Sequence, residues 1–175
     1  MVVFDVSSTM GATDVAPSNF AVAKSTTTGF AMTLPAGMKL GLVSYARTAS
    51  VRAAPTVDRP VFVDAIDRLM LVNTTSAPQS AIETAIRQIQ ASGKAPGWIV
   101  LISDGKQPVD KVADNQEMGY FAARVLRHWG IPILTISLGP TAPVPVRRRW
   151  TMTTRWPGSP ACRAGGCSLR RPRPR

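Results

Sequence analysis

Three short runs of apolar, often β-branched residues constrain the fold of this chain more than any other feature. They are Met1–Val6, Trp98–Ile102 and Ile131–Leu138. Continuous apolar runs of this length are typical of strands that are buried on both faces of a parallel sheet. Segments with helical periodicity separate the runs, so we expect an α/β fold in which helices cover both faces of the sheet.

The segments between these runs carry helix and hairpin patterns. Apolar residues at helical spacing predict four helices, Ser18–Leu34, Val61–Leu71, Pro78–Ala91 and Glu117–Trp129. The strand-like segments Leu40–Ala46 and Ala49–Ala53 are separated only by Arg47-Thr48, which favours a β-hairpin. Met32 and Met70 are expected to fill space in the core or at its rim.

The charge of the chain is concentrated at its C-terminal end. The formal net charge is +11, but residues 1–146 hold 12 Lys and Arg against 10 Asp and Glu, and residues 147–175 hold nine Arg and no acid. This last segment lacks helical and strand periodicity, so we expect it to be disordered. A basic chain favours a nucleic-acid or anionic-membrane partner. The near-neutral body argues against a nucleic-acid partner for the folded part.

Polar side chains collect where two of the predicted strands end. Asp5, Ser7 and Thr9 follow the first strand at alternate positions, and Asp104 follows the strand that begins at Trp98. Alternation lets three oxygen-bearing side chains point into one site, and ligands of open α/β sheets bind at the carboxyl ends of the strands. Oxygen ligands suit a hard cation such as Mg²⁺.

These motifs resemble the metal-ion-dependent adhesion site of the von Willebrand factor A domain. The matches are Asp5, Ser7, Thr9 and Asp104, and Met10–Lys24 is similar to a membrane-anchored branch common in actinobacteria. The resemblance covers residues 1–139 and implies a Rossmann-like, doubly wound, mostly parallel sheet with helices on both faces. It also implies that the sheet is incomplete at its C-terminal edge and that residues 140–175 form a basic tail outside the domain.

The third element of the family's site differs in this chain. By the family pattern the ligand position falls on Ser76, with Thr75 as a neighbouring candidate, and Gln79 stands where the family has Gly. The resemblance implies Mg²⁺, with Mn²⁺ or Ca²⁺ as alternatives, held by Asp5, Ser7, Thr9, Ser76 and Asp104. It further implies a non-enzymatic module whose cation accepts a Glu or Asp of a partner protein.

The resemblance predicts membrane association, whereas the composition of this chain predicts no membrane-spanning helix. The resembling proteins are membrane-associated through anchor helices that this chain lacks. No apolar run approaches the ~18 residues of a membrane-spanning helix, and no signal peptide is present. We therefore expect the chain as written to be soluble, or aggregation-prone if an apolar edge strand is exposed.

Two other functions compete with the binding module. Haloacid-dehalogenase-type phosphatases also begin with a strand that ends in Asp, but they need a second Asp where this chain has Ser7. Nucleic-acid binding through the Arg-rich tail would fall steeply with salt and vanish when the tail is removed.

The codons of the C-terminal segment allow another interpretation. Trp and Met codons end in G, so a shifted reading gives Asp after Trp150, Asp after Met152 and Ala after Trp156. The shifted frame permits an acidic helix start followed by spaced apolar residues. We hypothesise a frameshift between Gly139 and Trp150, which would make the chain a truncated, non-functional fragment.

Overall fold

The computed structural model describes residues 1–93, 96–105 and 127–138, together with Phe121, Arg124 and Val125. In chain order its elements are β1 (Val2–Asp5), a 3-10 helix (Ser8–Gly11), α1 (Asn19–Thr33), β2 (Leu40–Tyr45), β3 (Ala49–Thr56), α2 (Arg59–Asp67), α3 (Pro78–Ala91), β4 (Ile99–Ser103) and β5 (Ile133–Ser137). The basic tail and much of the predicted helix Glu117–Trp129 lie outside the described residues.

The described strands form one mostly parallel sheet in the order β3-β2-β1-β4-β5. β1 pairs in parallel with both β2 and β4, and β4 pairs in parallel with β5. Only β3 is antiparallel, because the short turn after β2 returns the chain alongside it as the predicted hairpin. The predicted Rossmann-like α/β fold is therefore confirmed.

Helices cover both faces of this sheet, and β1 supplies side chains to both core layers. Val2 and Phe4 pack into the layer that holds Phe62 and Ile66 of α2 and Ala23 of α1. Val3 points the opposite way, into the layer under α3. That second layer also contains Val43 and Leu101 from the neighbouring strands and the buried stripe of α3, which consists of Ala81, Ile82, Ala85, Ile86 and Ile89. The two-residue period of a strand thus fills two layers at once.

Local capping signals set where the helices begin. Ser18 caps α1 by accepting a hydrogen bond at 3.2 Å from the backbone N–H of Ala21. Asp58 caps α2 in the same way, accepting from the N–H of Val61 at 3.2 Å, with a proline in the first turn. The predicted starts of α1 and α3 agree with the structure to within one residue.

The predicted end of α2 is wrong, for a tertiary reason. The sequence pattern extended the helix to Leu71, but it ends at Asp67. The next residues leave the helix because the N–H of Val72 donates to the carbonyl of Val6 at 2.8 Å, which forms a bridge with the loop after β1. A pairing with a distant segment replaces the last helical turn here.

Two burial expectations are also wrong. The last strand was predicted to be buried, but Leu134 and Ile136 of β5 are 52% and 38% exposed. In the described part of the chain β5 pairs only with β4, so it is the edge strand. Met32 and Met70 were expected in the core or at its rim, but both are largely exposed. None of the described helices combines the length and the apolar character needed to cross a bilayer.

The packing of α2 predicts that truncating a buried side chain lowers stability much more than truncating an exposed one. Ile66 is fully buried, whereas Val61 on the same helix is 51% exposed. We expect Ile66→Ala to lower the free energy of unfolding by about 2–5 kcal/mol, because it leaves a cavity. Val61→Ala is expected to change it by about 0.5 kcal/mol or less. Urea denaturation followed by circular dichroism measures both, and equal losses would contradict this packing.

Candidate metal centre

The predicted site residues lie at the carboxyl ends of β1 and β4. Asp5 is the last residue of β1, and Asp104 directly follows β4. β2 lies on one side of β1 and β4 on the other, so the winding of the sheet reverses between β1 and β4. Such a reversal opens a crevice between the loops, which is where open α/β sheets bind their ligands.

Strand register directs three side chains to the same place. Tyr45 is the register partner of Asp5 on β2, and Ser103 extends the register of β4 beside it. Two positions earlier on each strand, the side chains belong to the core layer under α3 (Val3, Val43 and Leu101). Because side chains alternate along a strand, Asp5, Tyr45 and Ser103 point to that same face, at the edge of the sheet.

The carboxylate of Asp5 is a shared hydrogen-bond acceptor for several segments. Its Oδ1 accepts from the backbone N–H of Ser7 at 2.9 Å, and its Oδ2 accepts from the hydroxyls of Ser76 at 3.1 Å and Ser103 at 2.8 Å. Ser103 in turn accepts from the N–H of Gly105 at 3.1 Å. The carboxylate therefore holds together the loop after β1, the loop before α3 and the end of β4.

Tyr45 completes the surroundings of Asp5. Its side chain is buried, and its hydroxyl lies close enough to Asp5, Ser76 and Ser103 to interact with each. Burial raises the pKa of the Tyr45 phenol far above its usual value, and the negative charge of Asp5 raises it further. The phenol therefore stays protonated at physiological pH and supplies a neutral polar group to the site.

A second chain of hydrogen bonds reaches Asp104. The hydroxyl of Thr9 donates to Oδ1 of Asp104 at 3.2 Å, and Oγ of Ser7 lies 3.1 Å from Oγ1 of Thr9. Because the one hydroxyl proton of Thr9 goes to Asp104, Ser7 is the donor in its contact with Thr9. Ser7 thus donates to Thr9 and Thr9 donates to Asp104, which leaves oxygen lone pairs of Ser7 and Thr9 for another partner.

The donor set fits a hard divalent cation. Asp5 is 0% exposed, and no Lys or Arg in the described ranges forms a salt bridge with it. Buried carboxylates in proteins are normally paired with a cation or coordinate a metal. The remaining groups are hydroxyl oxygens, which match the ligand preference of Mg²⁺, Mn²⁺ or Ca²⁺. No group of three or more His, Cys, Asp or Glu residues at metal-binding spacing occurs in the described part of the chain.

Backbone contacts fix the loop that carries Ser7 and Thr9. The N–H of Val6 donates to the carbonyl of Tyr45 at 2.8 Å, and that of Ser8 donates to Thr74 at 3.4 Å. Met10, in the 3-10 helix, is fully buried and anchors the loop in the hydrophobic core. The loop is thus held from both sides before any ligand arrives.

All five predicted site residues belong to one connected network. Asp5 links to Ser76 and to the N–H of Ser7, and the hydroxyl of Ser7 continues through Thr9 to Asp104. Of the two candidates for the third ligand, Ser76 donates to Asp5, whereas Thr75 is exposed. Gln79, at the position of the family's Gly, is also exposed.

Ser103 and Tyr45 also lie at the site, although neither is among the predicted site residues. The signal that could have found them is their place at the ends of β4 and β2, the two neighbours of β1. Their position beside Asp5 can be recognised only when the register of the strands is known.

Ser103 provides a test of this network. Ser103→Ala removes one donor to buried Asp5 and one acceptor for Gly105, so we expect the free energy of unfolding to fall by about 1–3 kcal/mol. Ser103→Thr keeps the hydroxyl and is the matched control, with less than half of that loss. Thermal and urea denaturation measure the difference. Equal losses in both variants would show that the hydroxyl contributes nothing.

Comparison with known proteins finds relatives in sequence. Residues 1–107 match the family model described as the von Willebrand factor type A domain. A UPF0353 protein from Mycobacterium sp. (strain KMS) is 42% identical over 147 residues, which cover 79% of this chain and 44% of the relative. The chain therefore spans less than half the length of the curated relatives it matches.

Solved structures share the fold at low sequence identity. An aerotolerance-related membrane protein from Bacteroides fragilis aligns with a TM-score of 0.62 and 22% identity, over 78% of this chain and 65% of that chain. Proximal thread matrix protein 1 from the mussel byssus, whose metal-ion-dependent adhesion site is occupied by zinc, aligns with a TM-score of 0.60 and 21% identity. That alignment covers 79% of this chain and 35% of the mussel protein.

Proposed function

Because this chain belongs to the von Willebrand factor type A domain family, we propose that it is a protein-binding module that depends on a metal ion. The observation that carries the proposal is the buried carboxylate of Asp5, whose hydrogen-bond donors are all neutral and which has no salt bridge in the described part of the chain. A divalent cation would balance this charge. Mg²⁺ is the proposed ion, with Mn²⁺ and Ca²⁺ as alternatives.

Hydroxyl groups would be the protein's main contribution to the metal. Ser7, Thr9 and Ser76 offer oxygen lone pairs, while Asp5 and Asp104 accept the protons of Ser76 and Thr9. The bound cation would supply an electrophilic centre that accepts a carboxylate. Neutral hydroxyls reduce its charge less than direct carboxylate ligands would, so it keeps affinity for a Glu or Asp of a partner protein.

The side chains at this site favour binding over catalysis. A haloacid-dehalogenase-type phosphatase needs an acid at the position of Ser7 to protonate its leaving group. The Ser7 hydroxyl instead donates to Thr9, and the proton of Tyr45 is held by a pKa far above neutrality. Neither group is equipped to act as a general acid or base at pH 7, which supports a non-enzymatic role.

The names of two solved structures with the same fold support the proposal. The mussel protein holds zinc at its metal-ion-dependent adhesion site, and the Bacteroides relative is a membrane protein. We extend two properties to this chain as part of the proposal, an occupied metal site, here with Mg²⁺ as the proposed ion, and membrane association. The module would bind its metal at the edge of β1 and β4, and it would work at a membrane through segments outside this domain.

Metal binding can be measured directly by thermal stabilisation. At Mg²⁺ concentrations ten times the dissociation constant, the folded state gains about 1.4 kcal/mol, which raises Tm by a few degrees. We expect this gain in the full chain and its loss in Asp5→Ala. Asp64→Ala removes an exposed carboxylate and should leave the gain intact. A wild-type Tm that ignores Mg²⁺, Mn²⁺ and Ca²⁺ alike would refute the proposal.

Ser76 allows a finer test of the hydroxyl ligands. Ser76→Ala removes one oxygen ligand and one hydrogen bond to Asp5, so we expect Mg²⁺ to bind roughly ten-fold more weakly, which corresponds to about 1.4 kcal/mol. Ser76→Thr retains the hydroxyl and should bind Mg²⁺ within about three-fold of the original chain, since affinity depends on the oxygen that both residues share. Isothermal titration calorimetry measures all three. Equal weakening in both variants would exclude Ser76 as a ligand.

A further inference from the structure

One loop crosses the carboxyl-end edge of the sheet beside the candidate metal centre. Residues 68–77, called here the rim segment, connect α2 on one face to α3 on the other. Val72 in its middle forms a bridge with Ser7, and Ser76 near its end donates to Asp5. The rim segment therefore runs directly alongside the proposed metal ligands.

The rim segment exposes three consecutive large apolar side chains. Met70, Leu71 and Val72 are 78%, 42% and 45% exposed. Leu71 lies against Gly11 of the 3-10 helix, so closely that a Cβ on this glycine would come within 3.2 Å of the leucine Cδ1. Single exposed apolar residues are ordinary on protein surfaces, whereas a group of them in one segment is a candidate interaction surface.

Charged groups border this patch on one side: Lys24 Nζ donates to the carbonyl of Leu69 at 3.4 Å, and Arg68, which begins the rim segment, pairs with Asp64. The sequence from Leu69 to Ile82 contains no charged residue, nor does the loop from Val6 to Thr13. Arg47, in the turn after β2 at the same edge of the sheet, is exposed and positively charged. A partner with a single acidic residue among apolar ones would suit such a surface, because its acid meets nearby cationic side chains while its apolar side chains lose water contact against Met70, Leu71 and Val72.

On the basis of the proposed metal-binding function, we propose that the partner presents its Glu or Asp between bulky apolar side chains. The carboxylate binds the cation, and the flanking side chains pack on Met70, Leu71 and Val72. The patch is continuous with the proposed metal centre through the bridge between Val72 and Ser7. Apolar contact then supplies the selectivity that a metal–carboxylate bond alone lacks, since every acidic residue offers the same carboxylate.

The test uses two labelled peptides of equal charge and the full chain in Mg²⁺. One peptide has the sequence Gly-Leu-Glu-Leu-Gly, and the other is Gly-Ser-Glu-Ser-Gly. Fluorescence anisotropy measures their affinities. We expect the leucine peptide to bind about ten-fold more tightly, because its side chains bury apolar area on the rim segment. Chelation of Mg²⁺ should abolish the binding of both.

Variants assign the preference to the patch. Met70→Ser combined with Val72→Thr is expected to reduce the ten-fold preference to two-fold or less, with the backbone bond from Val72 to Val6 retained. Met38→Ser is the matched control, because this exposed methionine precedes β2 at the opposite edge of the sheet. It should keep the full preference. As a second readout, the leucine peptide should slow the oxidation of Met70 by hydrogen peroxide without protecting Met38.

The outcomes separate this inference from the proposed function. If Mg²⁺ stabilises the chain but the two peptides bind equally, or neither binds, the apolar selectivity is overturned and the metal site stands. A leucine preference that survives chelation, or that persists in the double variant, also overturns it. If Mg²⁺ gives no stabilisation, the proposed function itself fails.

Discussion

The hydrogen bonds to the buried carboxylate of Asp5 are the constraint on which the carboxyl-end edge of this sheet depends. Its two oxygen atoms accept hydrogen bonds from the backbone N–H of Ser7 and from the hydroxyls of Ser76 and Ser103. These three donors belong to segments that lie far apart in the chain. A buried carboxylate is costly unless such donors satisfy it. The same donors therefore fix the loops around the crevice in which the carboxylates of Asp5 and Asp104 lie.

The rim segment links stability to the proposed binding role. Its pairing with the loop after β1 ends α2 at Asp67 and gives up a further helical turn. The chain that follows this early helix end exposes the apolar side chains of Met70, Leu71 and Val72. The same path of the chain brings the hydroxyl of Ser76 within hydrogen-bond distance of Asp5. An isolated folding unit gains nothing from exposed apolar side chains, whereas a binding module uses them when a partner arrives.

The sequence predicted the fold and the candidate ligands from local patterns. Apolar runs predicted the parallel strands, apolar residues at helical spacing predicted a helix from Ser18, and the alternation of Asp5, Ser7 and Thr9 predicted one site. It failed where a distant partner decides the outcome. The end of α2 depends on the pairing of Val72 with Val6, and the exposure of β5 depends on which strand or helix covers it.

The sequence by itself determined which chemical groups are available, because side-chain identity and alternation along a strand are local properties. It specified an oxygen-only set at two strand ends and a charge balance close to neutral through residue 146. Only the tertiary structure decided that the hydroxyl of Ser76 donates to Asp5 while Thr75 is exposed, and that Tyr45 and Ser103 lie beside the same carboxylate. These choices follow from strand register and from a loop crossing the sheet edge, and both are set by contacts between residues far apart in the chain.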